Sequence, residues 1–245
     1  MTIWQHPPTD LRLTNNRVHI WRANLNLSAA EIERLVALLS ADELARANKF
    51  RFLDHRNSFI ASRGILRQLL SNYLALSPQD LNFSYSDRGK PSLMEQKLDI
   101  PLQFNVSHSQ EYALFGFTLT HLIGVDLEYL REMKDAVKIA RRFFASREFE
   151  LIGSLDLQQQ SRVFFQHWTA KEAYLKAIGV GLTGSLASVE IAIDRADNAS
   201  ILAIDGNETI ENWSMYSFAP ASNYVGAIAI QTPITKQQLD FWTWN

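Results

Sequence analysis

Residues 122–130 read LIGVDLEYL, apolar at every second position. A period of two marks a strand, and successive side chains of a strand point to opposite faces. Ile123, Val125 and Leu127 therefore face a core, while Gly124, Asp126 and Glu128 share the other side. Two carboxylates side by side on a rigid element repel and need a counter-ion. Magnesium takes carboxylate oxygens and keeps positions open for phosphate oxygens. Read alone, the fragment also fits two solvated acids on an exposed face, and that plainer reading is the stronger one.

Outward from this strand the pattern is mixed. Upstream, FNVSHS (104–109) and YALFGFTLT (112–120) read as strands on a short connection. RVHIWRANL (17–25) is another strand. Ser28 with Glu31, and Ser40 with Glu43, have the spacing of capping boxes that open helices. An amphipathic helix is expected from about Asn57 to Leu76, burying Phe59, Ile60, Leu66, Leu69, Leu70 and Tyr73. DLNFSYS reads as a strand and DRGKP as a turn, broken by Gly89 and Pro91. Downstream, VKIARRFF and SRVFFQHWTAKEAYLKAIG are helices, the second closed by Gly179. SVEIAI, ASILAI, WSMYSF and YVGAIAIQ are strands. The order is α+β, without the regular alternation of a doubly wound sheet. No linker separates two parts.

Composition narrows the function. The chain has 245 residues, 47% of them hydrophobic, enough to bury a large core. A net charge of −2 argues against nucleic acid as the main partner. With no cysteine, disulfides, thiolate metal sites and cysteine nucleophiles are excluded. The N-terminal stretch lacks a signal-peptide pattern, and no apolar run approaches the roughly 20 residues of a membrane helix. A cytoplasmic protein without membrane association is the expectation.

Further candidates accompany the acidic strand. In WTAKEAYLK (168–176), Trp168, Glu172 and Lys176 form one helical stripe. A glutamate there can ligate a metal or deprotonate a hydroxyl, and a lysine can hold phosphate; an ordinary Glu–Lys pair is the plainer alternative. Ser107 and His108 are strand neighbours, so they point to opposite faces and do not make a hydrolase pair. They suit anion binding better. RGKP (88–91) offers a glycine and the Lys90 charge without being a Walker loop. Arg46, Arg51, Arg56, Arg63 and Arg67 include candidate phosphate ligands that spacing does not separate.

The order of these pieces is more specific than any one of them. RGKP, FNVSHS, IGVDLE, ARRFF and WTAKEAYLK in succession resemble the Sfp-type 4'-phosphopantetheinyl transferases, from about Leu44 to Leu182. DELARANKFRF, ASRGILRQLL and GVDLEYLR look like cyanobacterial, heterocyst-associated members. The resemblance implies two similar α/β halves related by a pseudo-twofold axis, residues 1–121 and 122–245, with coenzyme A in the cleft between them. It implies Asp126, Glu128 and Glu172 as ligands of Mg²⁺. Lys176 would contact the pyrophosphate, and Lys90, Ser107 and His108 would bind coenzyme A. Arg46 and Arg56 would lie near the 3′-phosphate, with Arg63 competing. Glu172, directly or through a metal-bound water, would be the base on the carrier serine, with Asp126 and Lys176 completing the catalytic set.

The implied reaction loads a serine of an acyl or peptidyl carrier protein, releasing 3′,5′-ADP, with a monomer as the expected state. Arg131, Lys134, Lys138, Arg141, Arg142 and Arg147 form a basic stretch suited to an acidic carrier. Ala173 stands where some Sfp relatives have serine, so carrier preference does not transfer. Two rivals remain: a non-catalytic binder of coenzyme A, which should lack an acidic ligand, and a phosphoesterase using Asp126 and Glu128 without a carrier.

Overall fold

A computed structural model describes residues 2–87, 89–94, 101–181, 185–194, 196, 198–206 and 208–245. Arg88 of the RGKP turn and Leu182 lie outside the described residues.

The chain performs one sequence of elements twice. The first pass is β1 (Val18–Asn24), α1 (Ala29–Val36), α2 (Ala41–Ala47), α3 (Leu53–Leu74), the hairpin β2 (Phe83–Tyr85) and β3 (Pro91–Leu93), then β4 (Leu102–Ser109) and β5 (Tyr112–Leu119). The second is β6 (Ile123–Tyr129), α4 (Ala136–Phe143), α5 (Ser146–Gly153), α6 (Leu157–Ile178), the hairpin β7 (Val189–Ile193) and β8 (Ala199–Ile204), then β9 (Ser214–Phe218) and β10 (Tyr224–Ile230). Sheet order repeats too: β1-β5-β4 in one sheet, β6-β10-β9 in the other. Both long helices have 22 residues.

The expected capping box holds at α1, where Ser28 Oγ accepts from Glu31 N–H at 3.3 Å and Glu31 Oε2 accepts from Ser28 N–H at 2.8 Å. α3 starts four residues before the expected Asn57, because its first residues are exposed and carry no apolar period. α6 ends at Gly179 with φ 77°, a left-handed cap that glycine adopts without strain.

Each sheet covers its own helices with one face. Trp21, Ile65, Leu69 and Phe117 anchor the first core, and Phe164, Tyr174, Val189 and Ala227 the second. The other faces meet, Ile20 and Leu114 packing with Val125 and Ile228. A strand unnamed in the sequence reading completes the first sheet: β11 (Leu239–Thr243) pairs in parallel with β1. The last strand thus crosses back to the first half.

At that junction His19 is buried, its Nδ1 2.8 Å from the Tyr73 hydroxyl and its Nε2 3.5 Å from Asp240. Burial pulls its pKa down to about 4; Asp240 opposes the shift and Arg17 adds to it. The folded value lies below the unfolded one, so between them the unfolded chain binds more protons. Stability present above pH ~6.5 is therefore lost as pH falls. Urea unfolding at pH 7 and pH 5 should show a drop of about 2 kcal/mol from this group, largely absent in His19→Gln.

Candidate active site

β6 carries Asp126 into a closed environment rather than onto an open face. α6 covers the side of β6 that holds Gly124, Asp126 and Glu128. A Cβ on Gly124 would lie 2.0 Å from the Ala173 carbonyl oxygen and 2.4 Å from the Ala177 nitrogen. Glycine is therefore what lets α6 settle on the strand. The helix then holds Glu172 and Lys176, one turn apart, over the strand's carboxylates. Trp168 completes the stripe by packing on Phe164 and Phe144.

Asp126 is 4% exposed. Its Oδ1 accepts from Lys176 Nζ at 2.6 Å and from Ser107 Oγ at 2.9 Å. Lys176 also donates to Ser107 Oγ at 2.8 Å. Residues 107, 126 and 176, from β4, β6 and α6, thus form one bonded cluster at the meeting of the two halves. Asp126 Oδ2 and Glu172 Oε1 are buried and have no hydrogen-bond partner among the described residues. Burial and then the Asp126 charge push Glu172 up to about 7, with Lys176 opposing. The same two causes, in the same order, raise Glu128, whose Oε2 accepts weakly from Ser109 Oγ at 3.4 Å.

Among the described residues no three acidic or imidazole side chains are gathered as they stand for a metal ion. The donor chemistry nevertheless fits a hard divalent cation. Two partnerless buried carboxylate oxygens, and two carboxyls raised by burial and then by the Asp126 charge, are what such an ion relieves.

β4 and β6 are not paired through their backbones; side chains join them. Asn105 Oδ1 accepts from Val125 N–H at 2.9 Å, and Ser109 Oγ accepts from Tyr129 N–H at 3.1 Å. With Ser107 these are alternate residues of one strand, a polar stripe visible in FNVSHS. Asn105 was not among the sequence candidates, although that alternation could have marked it. His108, between them, is exposed on the opposite face.

A cleft of about 500 Å³ opens beside the cluster, lined by Lys90, Asn105, Glu172, Lys176, Gly179 and Gly181 among others. Lys90 Nζ donates to the Ala177 carbonyl at 2.9 Å, placing a cation at the C-terminus of α6. Burial lowers its pKa to about 8. The candidate arginines sit elsewhere. Arg46 is exposed over the Phe59 ring, and Arg56 Nε reaches Asn48 at 3.4 Å. Arg63 Nε donates to Glu43 at 2.6 Å, its guanidinium also held by the Tyr85 hydroxyl and the Phe83 ring. None of the three lines the cleft among the described residues.

Residues 122–229 match the 4'-phosphopantetheinyl transferase superfamily, and residues 23–117 match the N-terminal segment of 4'-phosphopantetheinyl transferases. This chain belongs to the 4'-phosphopantetheinyl transferase family. The transferase HetI of Nostoc sp. is 43% identical over 227 residues, 93% of each chain. A putative transferase of Synechocystis sp. is 40% identical over 153 residues, 62% of each. Sfp of Bacillus subtilis is 27% identical over 176 residues, 71% of this chain and 75% of its own.

The internal repeat shows why this transferase has its acids on one side only. Asp126 and Glu128 are the fourth and sixth residues of β6; the same places in β1 hold Trp21 and Ala23. Glu172 and Lys176 of α6 correspond by position to Gln68 and Asn72 of α3. Trp242 packs against Trp21, and Trp244 Nε1 donates to Gln68 at 3.1 Å. The C-terminal strand thus covers a counterpart that has no carboxylate.

Proposed function

We infer that this transferase moves the 4'-phosphopantetheine arm of coenzyme A onto a serine of an apo carrier protein and releases 3′,5′-ADP. One observation carries the reading: Glu172, raised to about 7 beside the Lys176–Asp126–Ser107 cluster, in a cleft walled by a second lysine. A carboxyl near neutrality can take a proton at working pH. The cations suit a pyrophosphate.

In this reading Glu172 accepts the proton of the carrier serine as its oxygen attacks the β-phosphorus. A new P–O bond forms to serine. The bridging P–O bond breaks, and the electron pair leaves with 3′,5′-ADP. Lys176 faces the charge that grows on the departing phosphate, and Ser107 orients Lys176. Lys90 and His108 are assigned to the nucleotide phosphates, with Arg46, Arg56 or Arg63 toward the 3′-phosphate. Asp126, Glu128 and Glu172 would hold Mg²⁺, which when bound supplies charge neutralisation to the phosphates. The chain's own part is positioning and a complementary field, which suffices for phosphoryl-type transfer. Residues 1–121 would mainly bind coenzyme A and 122–245 supply the chemistry.

The carrier is assigned to the face around α4. Arg131, Lys134, Lys138, Arg141, Arg142 and Arg147 are exposed there, with the Phe143 ring among them. That surface complements an acidic helix. Lys138→Glu with Arg141→Glu should raise the carrier KM about tenfold and leave coenzyme A affinity unchanged. Titration calorimetry with coenzyme A and steady-state loading check the two halves of that expectation.

No helix is long and apolar enough to cross a membrane among the described residues. The cytoplasm, where coenzyme A meets apo carrier, is the compartment this reading assigns. The reading is tested by following 3′,5′-ADP release with and without an apo carrier. Release only with carrier supports transfer; equal release without it would support a phosphoesterase.

A further inference from the structure

Lys171 is 0% exposed in the middle of α6, and no step above uses it. Its ammonium donates to Glu148 Oε2 at 2.7 Å, to the Leu186 carbonyl at 2.9 Å and to the Val189 carbonyl. Glu148 is fully committed in turn. Its Oε1 accepts from Ile191 N–H at 2.7 Å, and its Oε2 from Ala145 N–H at 2.8 Å. One ion pair therefore ties the start of α5, the entry to β7 and the body of α6 into a single unit. An apolar residue of similar length would often stabilise such a core as well or better. What the pair adds is direction: a buried ammonium with three fixed acceptors permits little rotation of the helix that carries it.

We propose that Lys171, through Glu148, is a positioning residue that sets the rotation of α6 and thereby aims Glu172 into the cleft. This rests on the transferase reading above. Adjacent helical residues project about 100° apart, so Lys171 can be anchored away from the cleft while Glu172 faces it. On another side, the Gly124 seat fixes how close α6 lies to β6. Seat and strut together leave the helix neither free to turn nor free to lift.

The repeat supports treating the pair as a built device. At the corresponding place in α3 stands Arg67, which donates to Glu43 at 2.6 Å and to the carbonyls of Pro78 and Leu81 at 2.6 and 3.0 Å. Glu43 also reaches back to Ser40 N–H, as Glu148 does to Ala145. The residue after Arg67 is Gln68, which holds Trp244. The residue after Lys171 is Glu172. The same strut orients a packing contact in one half and a catalytic carboxylate in the other.

The test is steady-state carrier loading by Lys171→Met/Glu148→Gln, a double change that leaves no lone buried charge. Glu148→Gln alone keeps one acceptor oxygen, so it disturbs the direction of the strut less, although it leaves the Lys171 ammonium without a counter-charge and should melt earlier. Leu69→Ala, in the first core, is the control for lost stability. All are assayed well below their melting temperatures. The double variant should lose about 30-fold in kcat and the single about fivefold, with both KM values within about threefold of the parent. Leu69→Ala should melt earlier with unchanged kcat. A parent-like kcat in either folded strut variant would overturn the proposal. So would a kcat loss that Leu69→Ala reproduces at equal destabilisation. Absence of transfer by the parent chain would instead remove the reaction itself, and the positioning role with it.

Discussion

Glu172→Gln should lower kcat for carrier loading about 10³-fold, near 4 kcal/mol of transition-state stabilisation. The amide keeps the shape but can neither take the serine proton nor offer a charged oxygen to a cation. The same change should not harm the fold. Glu172 is buried, its Oε1 has no partner among the described residues, and the Asp126 charge opposes its ionisation. Removing a crowded carboxyl should leave the melting temperature unchanged or raise it. Loss of activity without loss of stability is the mark of a group held in place for chemistry. Single-turnover loading and a thermal melt on the same preparation check both parts. A variant that melts early and loses activity in proportion would make Glu172 a structural residue.

Gly124→Ala should be the most damaging single methyl in the second half. The added carbon would sit 2.0 Å from the Ala173 carbonyl oxygen and 2.4 Å from the Ala177 nitrogen. Both are helix backbone and cannot rotate aside, so α6 must lift from β6. Overpacking of a core commonly costs 1–3 kcal/mol, and a backbone clash belongs at or above the top of that range, about 3 kcal/mol. Loading should fall at least 100-fold, because the helix that lifts carries Glu172 and Lys176. Gly153→Ala is the contrasting case. Its Cβ would meet only Val137 Cγ1, at 3.7 Å, and an alanine in a helix gains up to about 1 kcal/mol over glycine. Denaturant unfolding of the two variants should move in opposite directions.

Much of this arrangement was legible because it is local. The period of two in LIGVDLEYL placed β6, and Gly179 stopped α6, since strand alternation and a left-handed cap are written within a few residues. What needed the structure was non-local. The Gly124–Asp126–Glu128 face reads as turned from the core; it does lie opposite Ile123, Val125 and Leu127, yet α6 closes over it from about 45 positions on and turns it toward the second core. The plainer picture of solvated acids fails for Asp126 for that reason. Lys171 stands beside a glutamate in sequence but bonds to Glu148, on another helix, a pairing no i,i+4 spacing announces. β11 escaped because LDFWT is short, and its partner β1 lies near the opposite end of the chain. The arginines stayed ambiguous because side-chain reach, not spacing, decides which anion they meet.

Transfer of the phosphopantetheine arm changes the mass of the carrier, and mass reads it directly. An apo acyl carrier protein incubated with this chain, coenzyme A and Mg²⁺ should gain about 340 Da, the mass of the phosphopantetheine arm, and the gain should vanish with Glu172→Gln. An unchanged carrier mass across several unrelated carriers, with coenzyme A still bound by the chain, would contradict the account and leave a protein that binds the coenzyme without transferring its arm.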